Sequence, residues 1–290
     1  MPPAAEPAFG ERVRSAVAEL GPLCVGIDPS PALLGLFGLP DAPDGLRAFS
    51  EICVEALHGV VAVVKPQVAF FERHGAAGMS AFEATVALGQ AAGMLVVADA
   101  KRGDVGSTTE AYADAWFRGP LAADALTATP YLGAGALFPM VRAARATGRG
   151  LFVVVTSSNP EGREVQEALC RDGSSVEQAM VRTIARWNVE EADEAGEAGM
   201  GGPGRLGAVG AVVGATGGAP PDGLDGLAGV VLAPGLGAQG ATVADVARRF
   251  AACARGSVLP VAARAVLGQG PVGVRAAAER LKDELAAALA

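Results

Sequence analysis

Apolar residues along this chain follow two patterns that alternate. One is the short, nearly unbroken run, as in Val60-Val61-Ala62-Val63-Val64 and Leu151-Phe152-Val153-Val154-Val155. A strand with one wet face alternates apolar and polar side chains, whereas a strand covered on both faces need not. Such runs predict eight strands, over 23–28, 60–65, 95–101, 125–130, 151–158, 206–215, 229–233 and 257–262. The other pattern repeats every three or four residues and predicts helices between them. Leu46, Phe49, Ile52, Cys53, Ala56 and Leu57 share one helical face, and Met79, Phe82 and Val86 share another. Val165 with Leu169, then Val176, Met180, Ile184 and Trp187, continue the pattern, and Val274, Ala278, Leu281, Leu285 and Leu289 close it. Strand and helix alternating eight times reads as an α/β chain folded into a (β/α)8 TIM barrel, with a doubly wound open sheet as runner-up. No GxGxxG follows the first strand, which counts against a dinucleotide-binding sheet.

The length of 290 residues fits one such barrel, so residues 1–290 are read as a single domain. Residues 190–205 (EEADEAGEAGMGGPGR) are acidic, then Gly-rich, and read as a solvated loop insertion rather than a boundary. The formal net charge of −8 counts against a nucleic-acid binder, which needs a basic face. Four scattered Cys without a CxxC pair, and only two His, make a structural zinc site a poor expectation. No apolar run is long enough for a membrane span, and residues 1–14 carry three Pro and two Glu where a signal peptide would be apolar. A soluble cytoplasmic protein is the expectation.

Reacting groups of such a barrel sit at the C-terminal ends of its strands. There the sequence places Asp28 after the first strand, Lys65 after the second, and Asp99 with Lys101 at the end of the third, followed by Asp104. Residues two apart on a strand face the same side, so Asp99 and Lys101 are expected to point together at the barrel axis. Buried charges are costly unless paired, and alternating signs would keep all of these ionised. Ser157 and Ser158 end the fifth strand. After the seventh strand, Pro234-Gly235-Leu236-Gly237-Ala238-Gln239-Gly240 is a Gly-rich turn, and the eighth strand runs into Arg264. Backbone amides of such a turn, the Gln239 amide and an Arg guanidinium suit a phosphate, at the strands where these barrels hold one.

These residues resemble the orotidine 5′-phosphate decarboxylase family over nearly the whole chain. Asp99-x-Lys101-x-x-Asp104 is similar to the family's DxKxxD signature, and Lys65 in VVKPQ to the lysine completing its Lys-Asp-Lys-Asp array. Asp28 in GIDPS resembles the ribose-binding Asp, Ser158 in SSNP the Ser that contacts the pyrimidine, and Gln239 and Arg264 the phosphate ligands, with Pro234 in the same loop. Pro130–Gly133 and Gly214-Ala215-Thr216 resemble the longer bacterial branch. The resemblance implies decarboxylation of orotidine 5′-phosphate to UMP and CO₂, with Lys65, Asp99, Lys101 and Asp104 catalytic and Lys101 the proton donor. It implies no metal and no organic cofactor. It also implies a homodimer in which Asp104 and Thr108 reach the neighbouring subunit's site.

Other readings of the same residues are an Mg²⁺-dependent sugar-phosphate decarboxylase or synthase, a Schiff-base aldolase, and a barrel that binds nucleotides without catalysis. The metal enzyme would need an acidic ligand after the second strand, where this chain has Lys65-Pro66-Gln67. The basic residues add one more sign: of 23, twenty are Arg and three are Lys. Two of those three, Lys65 and Lys101, stand in the array. Arg holds its proton too firmly to donate one, so lysine is required where the chemistry needs an acid.

Overall fold

The computed structural model describes residues 7–194, 204–217 and 219–289. Eight parallel strands, β1 (Cys24–Ile27), β2 (Val63–Pro66), β3 (Leu95–Arg102), β4 (Ala125–Ala128), β5 (Gly150–Thr156), β6 (Val209–Val213), β7 (Val231–Pro234) and β8 (Val258–Ala262), pair in sequence order and close between β8 and β1. The chain is a (β/α)8 barrel, as the hydrophobic runs predicted. All eight predicted strands are present with ends shifted by a few residues: β1, β4, β6 and β8 are shorter than predicted, and β2, β3, β5 and β7 each run one residue past one predicted end.

Side-chain parity along the strands builds two cores. Val25, Val64, Val96, Ala98, Leu126, Leu151 and Val153 point outward and pack under the helices. Cys24, Val63, Val97, Ala125, Phe152, Val212, Leu232, Leu259 and Val261 point inward and fill the lower barrel. The next inward position up is polar on three adjacent strands: Lys65, Asp99 and Thr127. The barrel is therefore apolar below and polar at its mouth.

A helix the sequence pattern did not reveal, Phe9–Leu20, plugs the other end. Phe9 and Val13 enter the inner core, with the Phe9 ring edge-on to Phe152 at 5.8 Å. Arg12 ties the plug down by donating to Asp124 at 2.6 Å and to the Gly148 carbonyl at 2.8 Å.

Two helical expectations change. Val165 and Leu169 do not share the core-facing stripe of the next helix: residues 163–166 form a separate short turn of helix, and both side chains are exposed. The break is local chemistry, since Asp172 accepts from the Ser174 amide and hydroxyl, Gly173 takes φ +83°, and Ser175 and Gln178 exchange capping bonds. The long helix starts only at Val176 and runs to Glu194. Between β6 and β7 the described residues hold no α-helix, only the single turn Leu224–Gly226. That stretch is rich in Gly and Pro, which disfavour helix interiors. Of the segment 190–205, residues 190–194 are helical and 195–203 lie outside the described residues, as do residues 1–6 of the chain's start. Among the described residues no helix is long and apolar enough to cross a membrane.

Candidate active site

Asp99 is the hub of the mouth. Its carboxylate accepts four hydrogen bonds, two per oxygen. Oδ2 takes Lys65 Nζ at 2.7 Å and Gln67 Nε2 at 3.0 Å. Oδ1 takes Lys101 Nζ at 2.6 Å and Thr127 Oγ1 at 2.9 Å. Strand geometry makes this possible. Lys65, Asp99 and Thr127 each stand two residues beyond an inward-facing residue of the lower barrel, Val63, Val97 and Ala125, on three adjacent strands. Gln67 follows β2 directly and bridges to Asp99 along the backbone.

The two lysines differ in setting. Lys65 is buried, with 7% of its side chain exposed, whereas Lys101 is half exposed at 51%. Burial alone would push the Lys65 ammonium toward neutrality, but Asp99 and then Asp28 outweigh it and hold its pKa above the ordinary lysine value. Burial works to raise the Asp99 pKa, yet Lys65 and Lys101 prevail and keep it well below the carboxylate range. Both groups are thus charged across the neutral range. Asp28 is the opposite case. Burial raises its pKa more than Lys65 lowers it, and its buried Oδ1 has no hydrogen-bond partner. An orphaned acceptor facing a cavity is a place for a ligand's hydroxyl.

A cavity of about 340 Å³ opens at this end of the barrel. Asp28, Lys65, Asp99, Lys101, Ser158, Pro234, Gln239 and Arg264, all singled out from the sequence, line it together. Lys65 and Asp99 lie on the adjacent strands β2 and β3, whereas Gln239 and Arg264 follow β7 and β8. The turn between Pro234 and Gly240 adopts positive φ at Gly235 and Gly237, which only glycine takes without strain. Three of its amides, those of Gly237, Ala238 and Gly240, bond to carbonyls of the turn and of Ala241 just after it. The side chains of Gln239 and Arg264 stand beside the turn as donors, and Arg264 is exposed.

Asp104 and Thr108 do not join the cavity. Asp104 accepts from the Val105 amide at 2.8 Å on the rim, and Thr108 is exposed on the helix Gly106–Phe117. Sequence reasoning missed Gln67 and Thr127, which are uncharged. The parity of β4 carries a signal for Thr127: it stands two residues beyond Ala125, on the inward face and level with the charged pair. Ser157 serves the loop, with its amide and hydroxyl both engaged by Gln166 at 3.1 and 2.9 Å.

The closed barrel and the charged cavity at its C-terminal strand ends define the class: a (β/α)8-barrel enzyme. Within it, residues 21–281 match the model of the Orotidine 5′-phosphate decarboxylase / HUMPS family, and the chain belongs to that family. It is 50% identical over 285 residues to the orotidine 5′-phosphate decarboxylase of Streptomyces coelicolor, covering 97% of this chain and 98% of the relative. The enzyme of the same name from Salinispora arenicola is 48% identical with the same coverage. Among solved structures, the OMP decarboxylase of Leishmania donovani superposes with a TM-score of 0.73 at 28% identity, covering 97% of this chain and 98% of that one. A Streptomyces avermitilis crystal structure assigned to orotidine 5′-phosphate decarboxylase does so at 0.88 and 47%, covering 100% and 98%.

Proposed function

We propose that this protein decarboxylates orotidine 5′-phosphate to UMP and CO₂ in pyrimidine biosynthesis, with Lys101 as proton donor. The observation that carries the reading is the shared cavity: a lysine-aspartate-lysine array on β2 and β3, and Gln239 with Arg264 after β7 and β8. Loss of CO₂ leaves a carbanion on the pyrimidine ring, which the ring cannot readily delocalise. The half-exposed Lys101 ammonium supplies the nearby cation and then its proton. Asp99, held ionised by four donors, stands against the substrate carboxylate. At an effective dielectric of about 20, like charges about 4 Å apart repel by roughly 4 kcal/mol, near three decades of rate if fully relieved. Lys65 holds Asp99 in place. Asp28 receives a ribose hydroxyl, Ser158 contacts the base, and Gln239 and Arg264 grip the phosphate beside Pro234. Binding energy from that remote phosphate is available to lower the barrier at the ring.

The reaction runs without metal or organic cofactor. A divalent ion would need several free carboxylate oxygens together; both oxygens of Asp99 are taken by protein donors, and among the described residues no three potential ligands cluster around Asp28. The Lys65 ammonium occupies the place where a second acidic ligand would stand, and Glu72 is paired with Arg102. Purified protein given orotidine 5′-phosphate is expected to form UMP, followed by absorbance, at the same rate with and without EDTA. No turnover would exclude the reading, and turnover abolished by EDTA would favour the Mg²⁺-dependent enzyme.

The site is completed by a second copy of the chain. Asp104 and Thr108 lie on the rim outside their own cavity, and exposed Val105, Tyr131 and Leu132 in the loops after β3 and β4 give that side an apolar surface. In the homodimer, in the cytoplasm, Asp104 and Thr108 reach the partner's ribose and array. Mixing Lys101→Ala with Asp104→Ala protein tests this. Hybrid dimers carry one intact site, so activity is expected to reappear on mixing; none would reappear if each chain used its own Asp104.

A further inference from the structure

Lys101 carries an unusual backbone. It is a non-glycine residue at φ +46°, a left-handed conformation that costs on the order of 1–3 kcal/mol for an ordinary side chain. The β3–β4 pairing slips in register between Ala98 and Arg102, and Lys101 lies inside that slip. There its N–H donates to Thr127 Oγ1 at 2.9 Å. The same hydroxyl donates its proton to Asp99 Oδ1 at 2.9 Å, the oxygen that accepts Lys101 Nζ at 2.6 Å. A hydroxyl has one proton to give and lone pairs to receive, so both bonds coexist. Lys101 is thereby closed into a ring through its own amide, the Thr127 hydroxyl, one Asp99 oxygen and its own ammonium. Thr127 is itself buried, at 1% exposure.

We propose that Thr127 is a positioning residue for proton delivery: its hydroxyl holds the left-handed Lys101 backbone and the Asp99 carboxylate in one arrangement, so that the otherwise half-exposed ammonium is aimed into the cavity. Gln67 steadies the other oxygen of Asp99 but does not touch Lys101, so it lacks this double role. An ammonium on a four-carbon stem has many rotamers, and a misplacement of about 1 Å can cost about 100-fold in rate. Thr127 restricts Lys101 from both ends of the residue.

Thr127→Val keeps the shape and removes only the hydroxyl. It is expected to lower kcat by about 10- to 100-fold, while KM for orotidine 5′-phosphate and the Kd of UMP stay within about threefold. Thr127→Ser is expected to recover most of kcat. Should the valine variant not fold, the Ser and Ala variants, which differ only in the hydroxyl, replace it in the same comparison. Turnover of Thr127→Val within twofold of the wild type would overturn the proposal. So would Ser losing as much as the hydroxyl-free variant, or KM and Kd worsening in step with kcat. The inference rests on Lys101 as proton donor, and Lys101→Ala separates the two. Activity retained in Lys101→Ala removes the donor itself, whereas an inactive Lys101→Ala beside a fully active Thr127→Val removes only Thr127's role.

Discussion

The two ends of this barrel each hold a buried carboxylate, and they treat it differently. At the floor, Asp124 accepts from Arg12, from the Gln90 amide and from the backbone N–H of Val96. Those donors come from the plug helix, an outer helix and a strand, so the buried carboxylate ties three elements together. At the mouth, Asp99 has one more donor, but one of its partners, Lys101, is half exposed and stands in an open cavity beside the unpartnered Asp28. Full satisfaction with everything enclosed closes a barrel end. Full satisfaction of one carboxylate, with a half-exposed ammonium and an orphaned acceptor beside it, leaves a place for a ligand.

Substitutions at each end sharpen the contrast. Asp99→Asn leaves the buried Lys65 ammonium without its main counter-charge and is expected to cost about 3–5 kcal/mol of stability along with the activity. The sign with pH follows from the depressed Asp99 pKa. Its contribution is present above the ordinary carboxylate range and lost as pH falls through the lowered value, so the deficit of Asp99→Asn, read by thermal unfolding, shrinks in acid. Arg264→Ala removes the proposed phosphate contact and is expected to weaken UMP binding by about 10- to 100-fold with Tm unchanged, as titration calorimetry would report. At the floor, Arg12→Ala should do the reverse: about 1–2 kcal/mol less stable by denaturant unfolding, with kcat and KM as in the wild type. The smallest change is the most telling about cost. Ionising Asp28 opposes folding, an effect absent below the ordinary carboxylate range that grows as pH rises through its raised value. Asp28→Asn should therefore raise the Tm of the free protein at pH 7 by about 2 °C, a gain that fades toward pH 4, while affinity for orotidine 5′-phosphate falls.

The mouth was legible in the sequence and the floor was not, for physical reasons. Parallel strands covered on both faces leave dense apolar runs, and charge at the end of such a run has few innocent explanations, so Asp28, Lys65, Asp99 and Lys101 stood out. The plug helix did not, because Pro and Glu precede it and its purpose, filling the lower barrel with Phe9 and Val13, is purely tertiary. Val165 and Leu169 have helical spacing but no core to face, since Asp172-Gly173-Ser174-Ser175 turns the chain before the long helix starts. Thr127 and Gln67 carry no charge and read as ordinary strand-end residues until Asp99 is seen to accept from both. The Gly-rich turn lines the cavity as its position after β7 suggested, but spacing alone does not reveal that three of its amides, at Gly237, Ala238 and Gly240, are taken by the turn and Ala241.

The division of labour between the two ends rests on Lys101, and Lys101→Ala tests it most directly. Steady-state turnover of orotidine 5′-phosphate by the purified variant is expected to fall by about 10³-fold or more, with Tm within a few degrees of the wild type because the side chain is half exposed. Near wild-type turnover would contradict it, and would mean that some group other than Lys101 delivers the proton.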